Sequence, residues 1–455
     1  MPHISKKMWI TPLLGLSFSV IASPENTNEN ISGNITNDVV EPTYIISSCK
    51  DLESIGKGAN YPGASHEEAW PVDGHYELGN DIDCSATSDS SDDEFGDEGF
   101  RIIGDQSAYF TGSLNGNNYT IKNLYQRSEL TGGIFYRLDP ESLIQNLSIE
   151  SAEINAPFRS GILSSMSLGD ITNLKISGSV TQLYPGLAIE PIGGVSATGS
   201  GNYHNIHANV HIQGGIETDG IGGLFGMAYP GFALTDSSVT GSIRHGKSIG
   251  GMVGNATQSG TIHNSFVYDM TIETLPHSAE RFAGGLIGIS SIRDIKNVYV
   301  SNVDISSHGR VQAAGLIGNL TGGVPVAAEN AYVTGRIVSH ADSNNEIAAG
   351  FIAKNVAPGT VEHGFTSMDL NAGFIYRLSG AHAPFSYYNK DREYTGSVQD
   401  TASQPTSKKE LKKTDWYITH LNWTEDDWAF KKGYYPILKG QDGNVLDNQE
   451  WVRVK

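Results

Sequence analysis

Few side chains in this 455-residue sequence stand at spacings that could do chemistry. His66-Glu67-Glu68-Ala69-Trp70 opens like the H-E-x-x-H motif, in which two histidines one helical turn apart hold zinc beside a glutamate base. Trp70 occupies the second ligand position, so the ligand pair is missing. No G-x-S-x-G elbow and no phosphate-cradling loop occurs. Residues 81–98 gather Asp81, Asp83, Asp89, Asp92, Asp93, Glu94, Asp97 and Glu98 with no basic residue. Oxygen-rich loops can hold Ca²⁺, and Asp89, Asp92, Asp93 and Asp97 are the candidate ligands. The spacing is not that of an EF-hand, and charge runs are more often solvated loops. Asp170, Asp236, Asp269, Asp294 and Asp304 could supply the paired carboxylates of polysaccharide cleavage. That chemistry needs two of them ~5–9 Å apart, which sequence alone does not show for turn-type residues. No catalytic, cofactor-binding or metal-ligating residue is assigned, and the balance is against an enzyme.

Two cysteines remain, Cys49 and Cys84. They lack the C-x-x-C spacing of a metal site, and in an oxidising compartment a pair is expected as a disulfide. Its loop would stabilise the fold by ~3–4 kcal/mol in the chain-entropy model. Export is expected from the first residues. Lys6 and Lys7 precede an apolar stretch from Met8 to Ala22, with small residues Val20 and Ala22 ahead of a cut before Ser23. The stretch is shorter than the ~20 apolar residues of a membrane span, and no integral membrane segment is expected later. Secretion, the cell surface and the periplasm all stay open. The net charge of −20 argues against nucleic acid and anionic membranes as partners.

What must position any site is a repeat. Gly-Gly-apolar segments recur, with second glycines at Gly133, Gly161, Gly194, Gly223, Gly251, Gly285, Gly315 and Gly350, in steps of 28 to 35 residues. Such a period signals a solenoid rather than a propeller, whose blades need ~40–45 residues. About a dozen residues after each pair comes a second pattern, as in Ile144-Gln-Asn146-Leu147, Ile171-Thr-Asn173-Leu174 and Ile295-Lys-Asn297-Val298. Period-two alternation then follows, as in Leu174-Lys-Ile176-Ser-Gly178, which is a strand signature. The glycines allow a positive-φ corner or a close approach to a neighbouring coil. The recurring Asn either stacks into an internal ladder or caps turns.

The expected fold is therefore all-β: a right-handed parallel β-solenoid with N- and C-terminal caps, of about nine rungs ~4.8 Å apart. The expected division is 1–22 signal peptide, 23–43 disordered leader, 44–100 disulfide-tied cap, 101–390 solenoid and 391–455 C-terminal cap. Ser407-Lys-Lys-Glu410 is a capping-box pattern that opens a short helix. Trp416, Trp423, Trp428, Tyr434 and Tyr435 concentrate aromatic rings outside the repeats. Such rings can stack on sugar, but more often cover the open end of a core.

Gly223-Leu224-Phe225-Gly226, Gly285-Leu286-Ile287-Gly288 and Gly315-Leu316-Ile317-Gly318 resemble the GLUG-motif repeats of bacterial secreted and surface proteins. Cys49-Lys-Asp-Leu52 and Tyr76 to Cys84 look like that family's N-terminal cap, and Trp428-Ala-Phe430 with Gly433 to Leu438 like its closing segment. The resemblance covers roughly residues 45–440. It implies a solenoid fold, and a role as an adhesin or as the region beside immunoglobulin-cleaving metallopeptidases, here without the peptidase domain. The function expected is non-enzymatic adhesion to an unidentified surface glycan or protein. A carbohydrate-active β-helix enzyme (lyase or glycosidase) and a ligand-free spacer are the alternatives.

Overall fold

The computed structural model describes residues 42–455 apart from 90–94, 185, 187, 188, 257–259, 293, 323–325, 341–345, 357, 358, 401, 402 and 441. The signal-type segment and the leader up to residue 41 lie outside the described residues, as do Asp92, Asp93 and Glu94 of the acidic run; Thr43, placed at the leader's end, opens the first strand instead.

Each coil is built from a short strand, a glycine corner, a second short strand and one long bent strand. Long strands such as Leu143–Ala156, Asp170–Gln182, Gly260–Glu273, Asp294–Ser307 and Val326–Ser339 pair in parallel, coil upon coil. Equivalent residues stack directly: Leu147, Leu174 and Ile206 are partners, all buried. After each glycine corner come strands such as Phe225–Ala228 and Val253–Ala256, which form a separate sheet of eight parallel strands. The solenoid expectation holds, with about ten turns. Apolar side chains from all walls meet in one core running along the coils.

The two corner types work differently. Only Gly133 among the eight second-position glycines takes a positive φ, at 140°. At Gly223, Gly251 and Gly285 an added Cβ would fall on the carbonyl oxygen of the equivalent glycine one coil on: Gly251, Gly285 and Gly315 respectively. Close backbone approach, rather than a left-handed corner, is what keeps side chains out at these three. Asparagine makes the other corner. Asn146, Asn173, Asn205, Asn264, Asn297 and Asn330 all lie at φ between 48° and 56°, where Asn is among the residues tolerated. Their amides also bond along the axis: Asn173 Nδ2 donates to Asn146 Oδ1 at 2.9 Å, Asn205 to Asn173 at 2.8 Å and Asn330 to Asn297 at 3.0 Å. Turn and ladder are thus one feature. It sits on an outer corner, with Asn173 exposed, not inside the core.

Strands of the N-terminal segment continue the parallel stacking of the coils. Thr43–Ile46 pairs in parallel with His75–Leu78, which pairs with Ser113–Asn115. The helix Cys49–Ser54 is capped by Ser48, whose Oγ accepts from Asp51 N at 3.1 Å, and buries Leu52. Cys49 and Cys84 form a disulfide across 35 residues.

Candidate functional site

The C-terminal segment creates the site. Helices Lys408–Leu411 and Thr414–Leu421 open it, the first capped as its sequence predicts: Ser407 Oγ accepts from Glu410 N at 3.2 Å. An antiparallel pair, Trp428–Ala429 with Ile437–Leu438, follows. The aromatic cluster does cover a core, but not the one expected. It lies along the flank of the coils, over a ladder of outward rings: Phe266, Tyr299, Tyr332 and Phe365, with centroids 4.8–5.0 Å apart. Trp423 and Trp428 stack on each other at 4.1 Å, and Trp428 lies 6.0 Å from Tyr332. Two of the cluster's buried polar atoms are matched, Tyr332 Oη donating to Pro436 O at 2.9 Å and Trp423 Nε1 to His363 O at 2.9 Å, while the buried Trp428 Nε1 has no hydrogen-bond partner among the described residues. Trp416, Trp423, Trp428 and Tyr435 are buried within this second core, so these four rings are unavailable for sugar. We call the segment the clasp.

Between the clasp and the outward face of the long strands runs a cavity of about 590 Å³, continued by one of about 370 Å³ through Thr271, Asp304 and Arg336. The bends in the long strands shape it. Asp269 and Asn302 sit at φ 47° and 56°, beside shifts in pairing register between Val239/Gly241 and Val300/Val303. Such bulges re-aim side chains. Asn302 Nδ2 donates to Asp269 Oδ1 at 2.7 Å. Thr271, Asp304, Arg336 and Asp369 follow one another at one register position in successive coils. Arg336 grips Asp304 with two bonds, Nε–Oδ1 at 2.9 Å and Nη2–Oδ2 at 2.5 Å, and this carboxylate raises the Arg336 pKa further. Arg392 Nη2 donates to Asp369 Oδ2, whose other oxygen accepts from Glu393 N at 3.0 Å. Tyr435, Val452 and Lys455 of the clasp form the opposite wall.

The arrangement is a row of donors and acceptors at coil spacing. It suits hydroxyl recognition. General acid–base work needs a carboxylate free to exchange its proton with a substrate; Asp304 and Asp369 are held by arginines, whereas Asp269, which also lines the groove, is bonded to Asn302. Asp170 accepts from Asn202 at 2.9 Å and Asp294 faces His263 at 3.0 Å, both outside the groove. Asp236 replaces Asn in the corner ladder; it is buried, its Oδ1 lacks a hydrogen-bond partner, and burial raises its pKa against the pull of His204. The ladder is repaired around it. His207 Nε2 lies 2.7 Å from Asn205 Oδ1 and its Nδ1 2.8 Å from Ser238 Oγ. Burial lowers the His207 pKa to about 4, so the neutral ring donates from Nε2 and accepts at Nδ1.

The His66–Trp70 run is not helical; the two rings stack at 3.7 Å, and His66 Nε2 lies 2.9 Å from Ser54 Oγ. Among the described residues no group of three or more His, Cys, Asp or Glu is placed to hold a metal ion. Arg336, Asp369 and Arg392 were missed by sequence reasoning. The available signal was spacing, since Asp304 and Arg336 stand 32 residues apart, one coil.

No family model matches the chain. It is 34% identical over 150 residues to Halomucin of Haloquadratum walsbyi, an alignment covering 31% of this chain and 2% of that protein. It is 29% identical over 163 residues to a protein of Evansella cellulosilytica provisionally described as a Gly-rich membrane protein, covering 35% of this chain and 16% of that one. The chain thus spans a small part of either relative. A crystal structure of a provisionally described immunoglobulin A1 protease from Bacteroides ovatus aligns over 87% of this chain and 92% of its own. The identity is 14% and the TM-score 0.40, a level that carries no argument about activity.

Proposed function

We propose that this chain is an exported surface protein whose solenoid binds an extended polysaccharide in the groove beside the clasp, without cleaving it. The carrying observation is the row Asp304–Arg336 and Asp369–Arg392 along the groove. Paired guanidinium and carboxylate groups offer hydroxyls both donors and acceptors at fixed spacing, while the same pairing occupies two of the groove's carboxylates, Asp304 and Asp369, that hydrolysis would need free. The disulfide supports an oxidising compartment. The names of the two relatives, Halomucin and a Gly-rich membrane protein, support a surface setting, as does the GLUG-like repeat. A row of weak subsites on a rigid coil gains strength when many copies face one surface. Incubating the purified protein with acidic and neutral polysaccharides, while following both retention and product release, tests the reading. Retention that weakens at least tenfold in Arg392→Ala, with no product, is expected. Turnover would move the protein to the carbohydrate-active enzymes, and neither binding nor turnover would leave a spacer.

A further inference from the structure

A second hollow, sharing no residue with the groove, lies at the corner loops of the early coils. Leu130 and Phe158 are 66% and 42% exposed, on neighbouring loops joined by Phe158 N donating to Leu130 O at 3.1 Å. With Tyr136 and Met166 they wall a space of about 210 Å³. Its rim is polar. Arg159 Nε lies 3.0 Å from Glu190 Oε2, and Arg159 Nη1 meets Met166 Sδ at 3.6 Å, which holds the guanidinium against the apolar wall. The exposed Gln106 completes the rim.

We propose that this hollow is a subsite for a single pyranose, independent of the polysaccharide groove. The space is smaller than the ~300–1,000 Å³ of pockets that take drug-sized ligands, so it fits one ring rather than a chain. A pyranose is amphipathic by face. Its C–H face, slightly positive, meets the negative face of an aromatic ring such as Phe158. Its ring-edge hydroxyls, which both donate and accept, match a carboxylate beside a guanidinium and an amide. An apolar side chain of a protein partner would fill the walls but leave Gln106, and the donors and acceptors that the Arg159–Glu190 pair does not use, unmatched on desolvation. The chemistry therefore favours the sugar.

Saturation-transfer NMR of the full chain with the methyl glycosides of glucose, galactose, mannose and N-acetylglucosamine tests this. At least one glycoside should receive saturation, and Phe158→Ala and Arg159→Ala should each weaken its binding at least tenfold. Arg392→Ala, in the groove, should leave it unchanged. Silence from all four glycosides, or a signal that survives Phe158→Ala, overturns the proposal. So does binding of hydrophobic peptides alone, lost in Phe158→Ala, which would assign the hollow to a protein partner. The groove fails separately, through loss of polysaccharide retention with the glycoside signal intact.

Discussion

One column of outward side chains on the long strands changes character half-way along the solenoid. In the early coils it reads Ser148, Lys175, His207 and Ser238; in the later ones Phe266, Tyr299, Tyr332 and Phe365. The backbone positions are equivalent, yet the first half faces an open hollow of about 200 Å³ and the second lies beneath the clasp. A repeat dictates coil geometry but leaves each outward residue free, and the aromatic half records where the closing segment docks. The clasp also reaches the polar half: Asp447 lies 3.9 Å from Lys175, Asn448 lines the hollow, and Asp442 and Asn444 line a cavity shared with Asn205 and Asp236.

Trp428→Ala should have the largest effect and touch only the aromatic half. Truncating a fully buried Trp costs ~3–5 kcal/mol, so protease should cut the clasp early while the β-sheet circular dichroism persists. Simultaneous loss of both signals would show that the halves are not separable. Gly194→Val and Gly285→Val probe one position in each half, since a Cβ there meets the carbonyl oxygen of Gly223 or Gly315. Each should cost about 3 kcal/mol by denaturant unfolding, and a much smaller cost at Gly285 would mean that the clasp props its half open.

Acid should act on the polar half. His207 is neutral in the fold, with its pKa lowered to about 4, whereas the unfolded chain takes up the proton near pH 6.5. Its stabilising contribution is therefore complete above pH 6.5 and is lost as pH falls from there towards 4, by up to roughly 3 kcal/mol. A His207→Gln variant should lose that pH dependence; an unchanged profile would place the titration elsewhere. The smallest effects belong to the corner ladder. Asn297→Ala, buried and bonded to Asn264 and Asn330, should cost ~1 kcal/mol. Exposed Asn173→Ala should cost less, and equal melting shifts would refute that ranking.

The coils were legible because a β-solenoid repeats its constraints: Gly-Gly where backbones touch, apolar residues inward, Asn at the bend. The disulfide followed from having two cysteines and an oxidising setting. The place of the clasp was not legible. Trp423, Trp428 and Tyr435 announce a buried cluster, but only register shows that Phe266, Tyr299, Tyr332 and Phe365, evenly spaced in the sequence, fall in one outward column to receive it. The groove was hidden for the same reason. Asp269 and Asp304 read as ordinary turn acids until the coils bring them beside Asn302 and Arg336.

Hydrogen exchange with and without bound polysaccharide tests the central claim most directly. Amides of the segments carrying Asn302 to Asp304, Thr334 to Arg336, Ser367 to Asp369 and Arg392 should exchange more slowly in the complex, together with Val452 to Lys455 of the clasp. Binding that protects none of these segments, or that releases shortened saccharides during the incubation, would contradict it.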